Sequence, residues 1–109
     1  MLEPNNLKVR IKLAAALADT GNFDEARSNL EFIQKTRPGW VQIYLTRGSL
    51  EYQARNDVSA LTAYNQALAV EPGNSAARVG RLLAISRLGA PDLAIAETSK
   101  YSGDENINK

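Results

Sequence analysis

The sequence predicts an all-α fold made of a repeated pair of helices, and three observations support this. Proline recurs at one constant interval, at Pro4, Pro38 and Pro72. Alanine recurs at the same interval, at Ala26, Ala60 and Ala94. Apolar residues between the prolines follow helical spacing, and no segment shows the alternation typical of a strand. A loop and a small residue that return at one fixed interval indicate a repeated structural unit.

The first unit, residues 7–40, carries the signals for two helices. Apolar residues at intervals of three and four predict a helix from Leu7 to about Thr20. Gly21 then ends it, because glycine readily takes the left-handed conformation of a helix cap. The second helix is predicted to begin with Asp24 as its cap and to stop before Pro38.

The second and third units, residues 41–74 and 75–109, repeat this plan. Unit two is predicted to hold helices from Val41 to about Ala54 and from Asp57 to Val70, with Asn56 supplying the positive φ between them. Unit three is predicted to begin at Ser75, capped by Asn74, and its first helix to reach Leu88 before Gly89. A last helix is predicted from Ala90-Pro91-Asp92, with a frayed tail after it. Residues 1–6 are interpreted as the end of a preceding repeat.

Composition and charge exclude several classes of function. The 13 basic and 12 acidic residues give a net charge of +1, which provides no general attraction to nucleic acid or anionic lipid. The chain has neither histidine nor cysteine, so the commonest general base, the commonest transition-metal ligand and any thiolate metal site are missing. No apolar run approaches the roughly 20 residues of a membrane span. We therefore expect no catalytic residues, no metal, no cofactor, no direct membrane insertion and no nucleic-acid partner.

The pattern resembles the tetratricopeptide repeat family. Small residues stand in the first helix at Ala14 and Gly48, and glycine stands at the turn at Gly21 and Gly89. The alanine early in each second helix and the closing proline also agree with the family pattern. Arg10 departs from it, because the family often has tryptophan there. The resemblance covers nearly the whole chain and implies a right-handed α-solenoid of three helix-turn-helix repeats, excised from a longer, natural and bacterial array.

The resemblance also implies a groove lined by the first helix of each repeat. Its predicted residues are Lys8, Ile11, Ala15, Ala18 and Asp19 from unit one, Gln42, Leu45, Ser49, Tyr52 and Gln53 from unit two, and Ala76, Val79, Leu83, Ser86 and Arg87 from unit three. Such a surface suits an extended segment or a helix with aliphatic side chains. Tyr52 is interpreted either as an anchor for the partner or as packing between repeats.

The expected function is that of a protein-interaction scaffold, in which the groove binds another protein. The family's chaperone-binding members hold a C-terminal carboxylate with basic and amide side chains. The matching places here are Ile11, Ala15, Thr46, Ala76 and Gly80, none of which carries a charge, so that activity is not expected. A helical-repeat RNA-binding module is the alternative, although Lys8 and Arg87 alone supply little positive charge.

Partners and location are expected from the family context. Similar repeats occur in bacterial assembly and secretion proteins, such as those of exopolysaccharide export and pilus biogenesis, in the periplasm or the cytoplasm. Exposed repeat ends also predict self-association at high concentration.

Overall fold

The structure, a computed structural model, describes residues 6–89, which contain five α-helices and no strand. The helices are α1 (Leu7–Asp19), α2 (Phe23–Thr36), α3 (Val41–Gln53), α4 (Asp57–Val70) and α5 (Ser75–Arg87). The all-α prediction is confirmed for this part of the chain. The predicted helix from Ala90-Pro91-Asp92, Ala94 and the tail lie outside the described residues, as does Pro4.

Asparagine side chains cap the first helix of the first and third units. The backbone N–H of Val9 donates to Asn6 Oδ1 at 3.1 Å, and that of Ala77 donates to Asn74 Oδ1 at 2.9 Å. Each bond satisfies a donor that the helix itself leaves unpaired. The predicted cap at Asn74 is confirmed.

The predicted cap at Asp24 is wrong. Helix α2 already includes Phe23, and Asn22 occupies the cap position without a side-chain cap bond. Asp24 therefore lies inside the first helical turn, where a carboxylate faces the positive end of the helix dipole. Its Oδ1 accepts a hydrogen bond from Arg27 Nη1 at 2.9 Å instead.

The turns within the first two units have the same hydrogen bonds at equivalent positions of the repeat. Asn22 N donates to the carbonyl of Leu17, and Asn56 N donates to the carbonyl of Glu51, both at 2.8 Å. This turn needs one residue of positive φ just before the asparagine. Gly21 has φ +87° in the first unit, and Arg55 has φ +67° in the second.

The prediction that Asn56 takes the positive φ is therefore wrong. Its φ is −98°, because the turn places the left-handed residue at the position of Gly21, which is Arg55 in the second unit. A non-glycine residue in this region is strained. In the third unit Gly89 has φ +84° at the same position, as the sequence predicted.

The core consists of two clusters of buried residues that correspond from one unit to the next. The first contains Ala14, Ala18, Ala26, Leu30, Ile33, Ile43 and Leu50. The second contains Val41, Ala60, Tyr64, Ala67, Leu68, Ala77 and Ala84. The members of the first cluster from Ala26 to Leu50 all have their counterparts, one repeat interval later, in the second. The packing is thus repeat-like as well as all-helical.

Helix α3 lies at the centre of this arrangement. It contributes Ile43 and Leu50 to the first cluster and Val41 to the second. Among the described helices it contacts all four others, whereas α1 and α2 do not reach α4 or α5. Each pair of helices therefore packs only on its neighbours along the chain.

The ring of Tyr64, from α4, lies between glycines of two other helices. A Cβ atom added at Gly48 of α3 would approach Tyr64 Cζ to 2.6 Å, and one added at Gly80 of α5 would come closer still. Real Cβ atoms do not approach other atoms so closely, so both glycines make room for the ring. Burial raises the pKa of the Tyr64 phenol, because the charged form would lose its hydration.

Candidate functional site

A cavity of about 170 Å³ lies between α1 and α3, on the side where the groove is predicted. Six of the predicted groove residues line it: Ala15, Ala18, Asp19, Leu45, Ser49 and Gln53. The remaining lining residues are Thr46 and Leu50. The apolar side chains that α1 contributes here are alanines, which leave space beside the bulkier leucines of α3.

Polar side chains meet at one end of this cavity. Gln53 Nε2 donates to Asp19 Oδ1 at 3.1 Å and to Ser49 Oγ at 3.2 Å. Asp19 and Gln53 are separated by one repeat interval, so this contact joins equivalent positions of neighbouring units. Asp19 and Gln53 are exposed, and the polar atoms of this group therefore face solvent at the mouth of the cavity.

The predicted groove residues of α5 form an exposed apolar stripe. Val79 and Leu83 are 59% and 48% exposed, although each is a large aliphatic side chain. They lie four residues apart and so share one face of the helix. Arg87, one turn further along, contacts α3, which places the stripe beside the α3 part of the predicted groove.

Arg87 joins α5 to the other two helices of this region. Its Nε donates to Asp57 Oδ1 at 2.8 Å and its Nη2 donates to the same oxygen at 2.6 Å. Its Nη2 also donates to the backbone carbonyl of Tyr52, and its guanidinium carbon lies 3.5 Å from the centre of the Tyr52 ring. The hydrogen bond from Arg87 lowers the pKa of the Asp57 carboxyl.

Tyr52 is thus partly buried and covered on one face by Arg87. It also packs against the second core cluster. These contacts correspond to the packing interpretation of Tyr52, and the anchor interpretation would require Arg87 to move.

The other predicted groove residues divide between surface and core. Lys8 is exposed, whereas Ile11 is half-buried and packs against the first core cluster. Leu45 both lines the cavity and packs against the second cluster. Among the predicted groove residues, Val79 and Leu83 are therefore the large apolar side chains that remain exposed.

A buried charged network beside α3 was not anticipated from the sequence. Glu51 is only 7% exposed, and its two carboxylate oxygens accept hydrogen bonds from Arg27 Nε and Nη2, each at 2.9 Å. Asn56 Nδ2 donates to the same carboxylate at 2.9 Å. These bonds, that of Arg27 above all, lower the pKa of Glu51 although burial opposes the shift.

Comparing equivalent positions of the three units would have indicated this network. Position 51 corresponds to Leu17 in the first unit and to Ile85 in the third, both of them apolar. A single acid at an otherwise apolar position indicates a buried charge, which requires a partner. The ion pair joins α2 to α3 and so links the first unit to the second.

Residues 6–89 hold no group of three or more histidines, cysteines, aspartates or glutamates able to share a metal ion. Among the helices of the same residues, none combines the length and the apolar character needed to cross a bilayer.

Comparisons of the sequence with protein-family models and curated proteins, and of the fold with solved structures, find no match.

Proposed function

We propose that this chain is a protein-interaction scaffold of the tetratricopeptide repeat family, whose concave face binds a segment of a partner protein. In this proposal the helices stack as a right-handed α-solenoid, and the first helices of the repeats line the inner face. The correspondence of the two core clusters and of the two turns between neighbouring units supports such a stack. Arrays of this kind are used mainly for binding.

The apolar surface of the predicted groove carries the proposal. Val79 and Leu83 remain exposed on α5, and a cavity lined by further predicted groove residues lies between α1 and α3. Exposed aliphatic side chains on one face of a helix are typical of a surface that a partner covers. The proposal includes no catalytic residue.

The RNA-binding alternative has less support. A groove that tracks a phosphate backbone needs several free cations. Of the two predicted groove cations, Arg87 is already paired with Asp57, which leaves Lys8.

Following the family resemblance, we propose that the partner belongs to a bacterial assembly or secretion apparatus.

The test replaces the exposed stripe with charge. A Val79→Glu, Leu83→Glu double variant is expected to lose the proteins that the wild-type chain captures from a bacterial extract, because buried carboxylates at the interface are costly. Both positions are exposed, so the helical circular dichroism should not change. Leu45 is left intact, because it also packs against the core.

Val58→Glu is the matched control. Val58 is 66% exposed and lies on α4, outside the predicted groove. The Val58→Glu variant should still capture the same proteins, because it introduces the same kind of acidic residue outside the groove. Recovery of the same proteins, in the same amounts, by the double variant would show that binding takes place elsewhere.

A further inference from the structure

The cavity between α1 and α3 has room for one side chain of a partner. Its volume of about 170 Å³ is below the roughly 300–1,000 Å³ of pockets that hold whole small molecules. Its walls are apolar, formed by Ala15 and Ala18 on one side and by Leu45 and Leu50 on the other. An occupant must therefore present an aliphatic stem.

The mouth of the cavity carries one negative charge. Asp19 is the only acidic residue among the predicted groove residues, and it makes no ion pair within residues 6–89. Its Oδ1 accepts the hydrogen bond from Gln53, which orients the carboxylate, and Asp19 as a whole is exposed to solvent. Ser49 Oγ and Gln53 Oε1 provide further acceptors nearby.

Neither Arg87 nor the two lysines of α1 cancels the charge of Asp19. Arg87, at the equivalent position of unit three, is neutralised by Asp57. Lys12 and Lys8 lie about 10 and 16 Å from Asp19 along the axis of α1, given a rise of about 1.5 Å per residue. Both distances exceed the screening length of about 8 Å at physiological salt.

We propose that this cavity receives a lysine or arginine side chain of the partner protein. The aliphatic stem lies against Ala15 and Leu45, and the cation reaches the carboxylate of Asp19 at the mouth. Lysine and arginine are the side chains that combine such a stem with a positive end. The inference rests on the proposed function, and it names the chemistry of the bound segment.

The test selects peptides from a displayed random library on the full chain at neutral pH and physiological salt. Selected peptides are expected to be enriched in lysine and arginine relative to the unselected library. Asp19→Asn keeps the shape and removes the charge, and should weaken binding of a selected basic peptide about tenfold. Asp19→Lys should reverse the preference, so that aspartate and glutamate are enriched.

Glu31→Gln is the matched control, because Glu31 is an exposed carboxylate on α2, away from the cavity. It should leave the affinity of the basic peptide unchanged. An equal loss with Glu31→Gln would mean general charge attraction and would overturn the inference.

The remaining outcomes separate this inference from the proposed function. One outcome would be peptides that lack basic residues, that bind the wild type and Asp19→Asn equally, and that no longer bind the Val79→Glu, Leu83→Glu variant. This outcome would overturn the inference of a basic side chain and leave the proposed function standing. A selection that yields no peptide, or only peptides indifferent to both groove variants, would overturn the proposed function and this inference with it.

Discussion

Arg27 of α2 binds both carboxylate oxygens of Glu51 of α3, through two hydrogen bonds of 2.9 Å each. The side chain of Glu51 is 9% exposed and that of Arg27 is 33% exposed. Arg27 also binds Asp24, whose side chain is fully in solvent. One guanidinium thus makes a buried ion pair between units and an exposed one within its own helix.

Glu51→Gln should destabilise the protein by about 2 kcal/mol. Breaking a buried ion pair costs about 3–5 kcal/mol, and partial exposure of Arg27 reduces this, because water can solvate the remaining cation. Asp24→Asn is the control and should cost less than about 1 kcal/mol, as surface pairs do. Urea unfolding of the two variants measures the difference, and equal losses would contradict the assignment.

The free energy of unfolding should decrease once the pH falls below about the ordinary pKa of the two ion-paired carboxyl groups. The pKa of Glu51 is lowered from 4.5 by Arg27, and that of Asp57 is lowered from 3.8 by Arg87. A lowered pKa means that the unfolded chain binds protons first, so stability is full above these ordinary values and falls as pH drops through the folded-state pKa. Urea midpoints from pH 7 to pH 3 test this.

Glu51→Gln provides the control for the pH experiment. It removes one of the two shifted groups, so the midpoint should fall less steeply with acid than in the wild type. A loss that starts near neutral pH, or an identical slope in the variant, would contradict the role given to Glu51.

Gly80→Ala should destabilise the protein by roughly 1–3 kcal/mol, because the new methyl group would overlap the Tyr64 ring. Tyr64→Leu copies Leu30, which stands at the equivalent position of the first unit. In this background Gly80→Ala should destabilise less or even stabilise the protein, because alanine is more favourable than glycine in a helix by up to about 1 kcal/mol. A double-mutant cycle in urea measures this coupling.

Gly73→Ala is the control for that cycle. Nothing lies within 4 Å of a Cβ added at Gly73, so the change should alter stability by less than about 1 kcal/mol in both backgrounds. If Gly80→Ala costs the same with tyrosine and with leucine at position 64, the ring is not the obstacle.

Arg55→Gly should stabilise the protein by about 1 kcal/mol, because glycine takes φ +67° without the clash that other residues suffer. Arg55→Ala removes the same charge but keeps the strained backbone, and should change stability by less than about 0.5 kcal/mol. Thermal unfolding distinguishes the two, and a gain of equal size in both would point to the charge instead.

The sequence predicted the helices well because their signals are local. Proline, glycine and helical spacing act over short stretches of chain, so the predicted helices of residues 6–89 begin and end close to the observed ones. The cap at Asp24 and the positive φ at Asn56 were predicted wrongly because each was assigned from the conformational preference of the residue type and not from its position in the repeat. Aligning Gly21 with Arg55 would have located the strained residue.

Contacts between units were harder to predict because they depend on side chains of distant residues. The ion pair of Arg27 with Glu51 and the space that Gly80 leaves for Tyr64 each need two helices in known orientation. The groove prediction named Asp19 and Gln53 by their position in the repeat. Their hydrogen bond, and the cavity beside it, required coordinates.

Trp40 is the only tryptophan of the chain, and it packs against one of the two core clusters. It precedes α3, packs against the first core cluster and lies 4.5 Å from the guanidinium of Arg37. Its fluorescence therefore monitors the surroundings of the first cluster, whereas circular dichroism averages over every helix. Comparing the two signals during heating would reveal, without any added label, whether neighbouring units melt together or in succession.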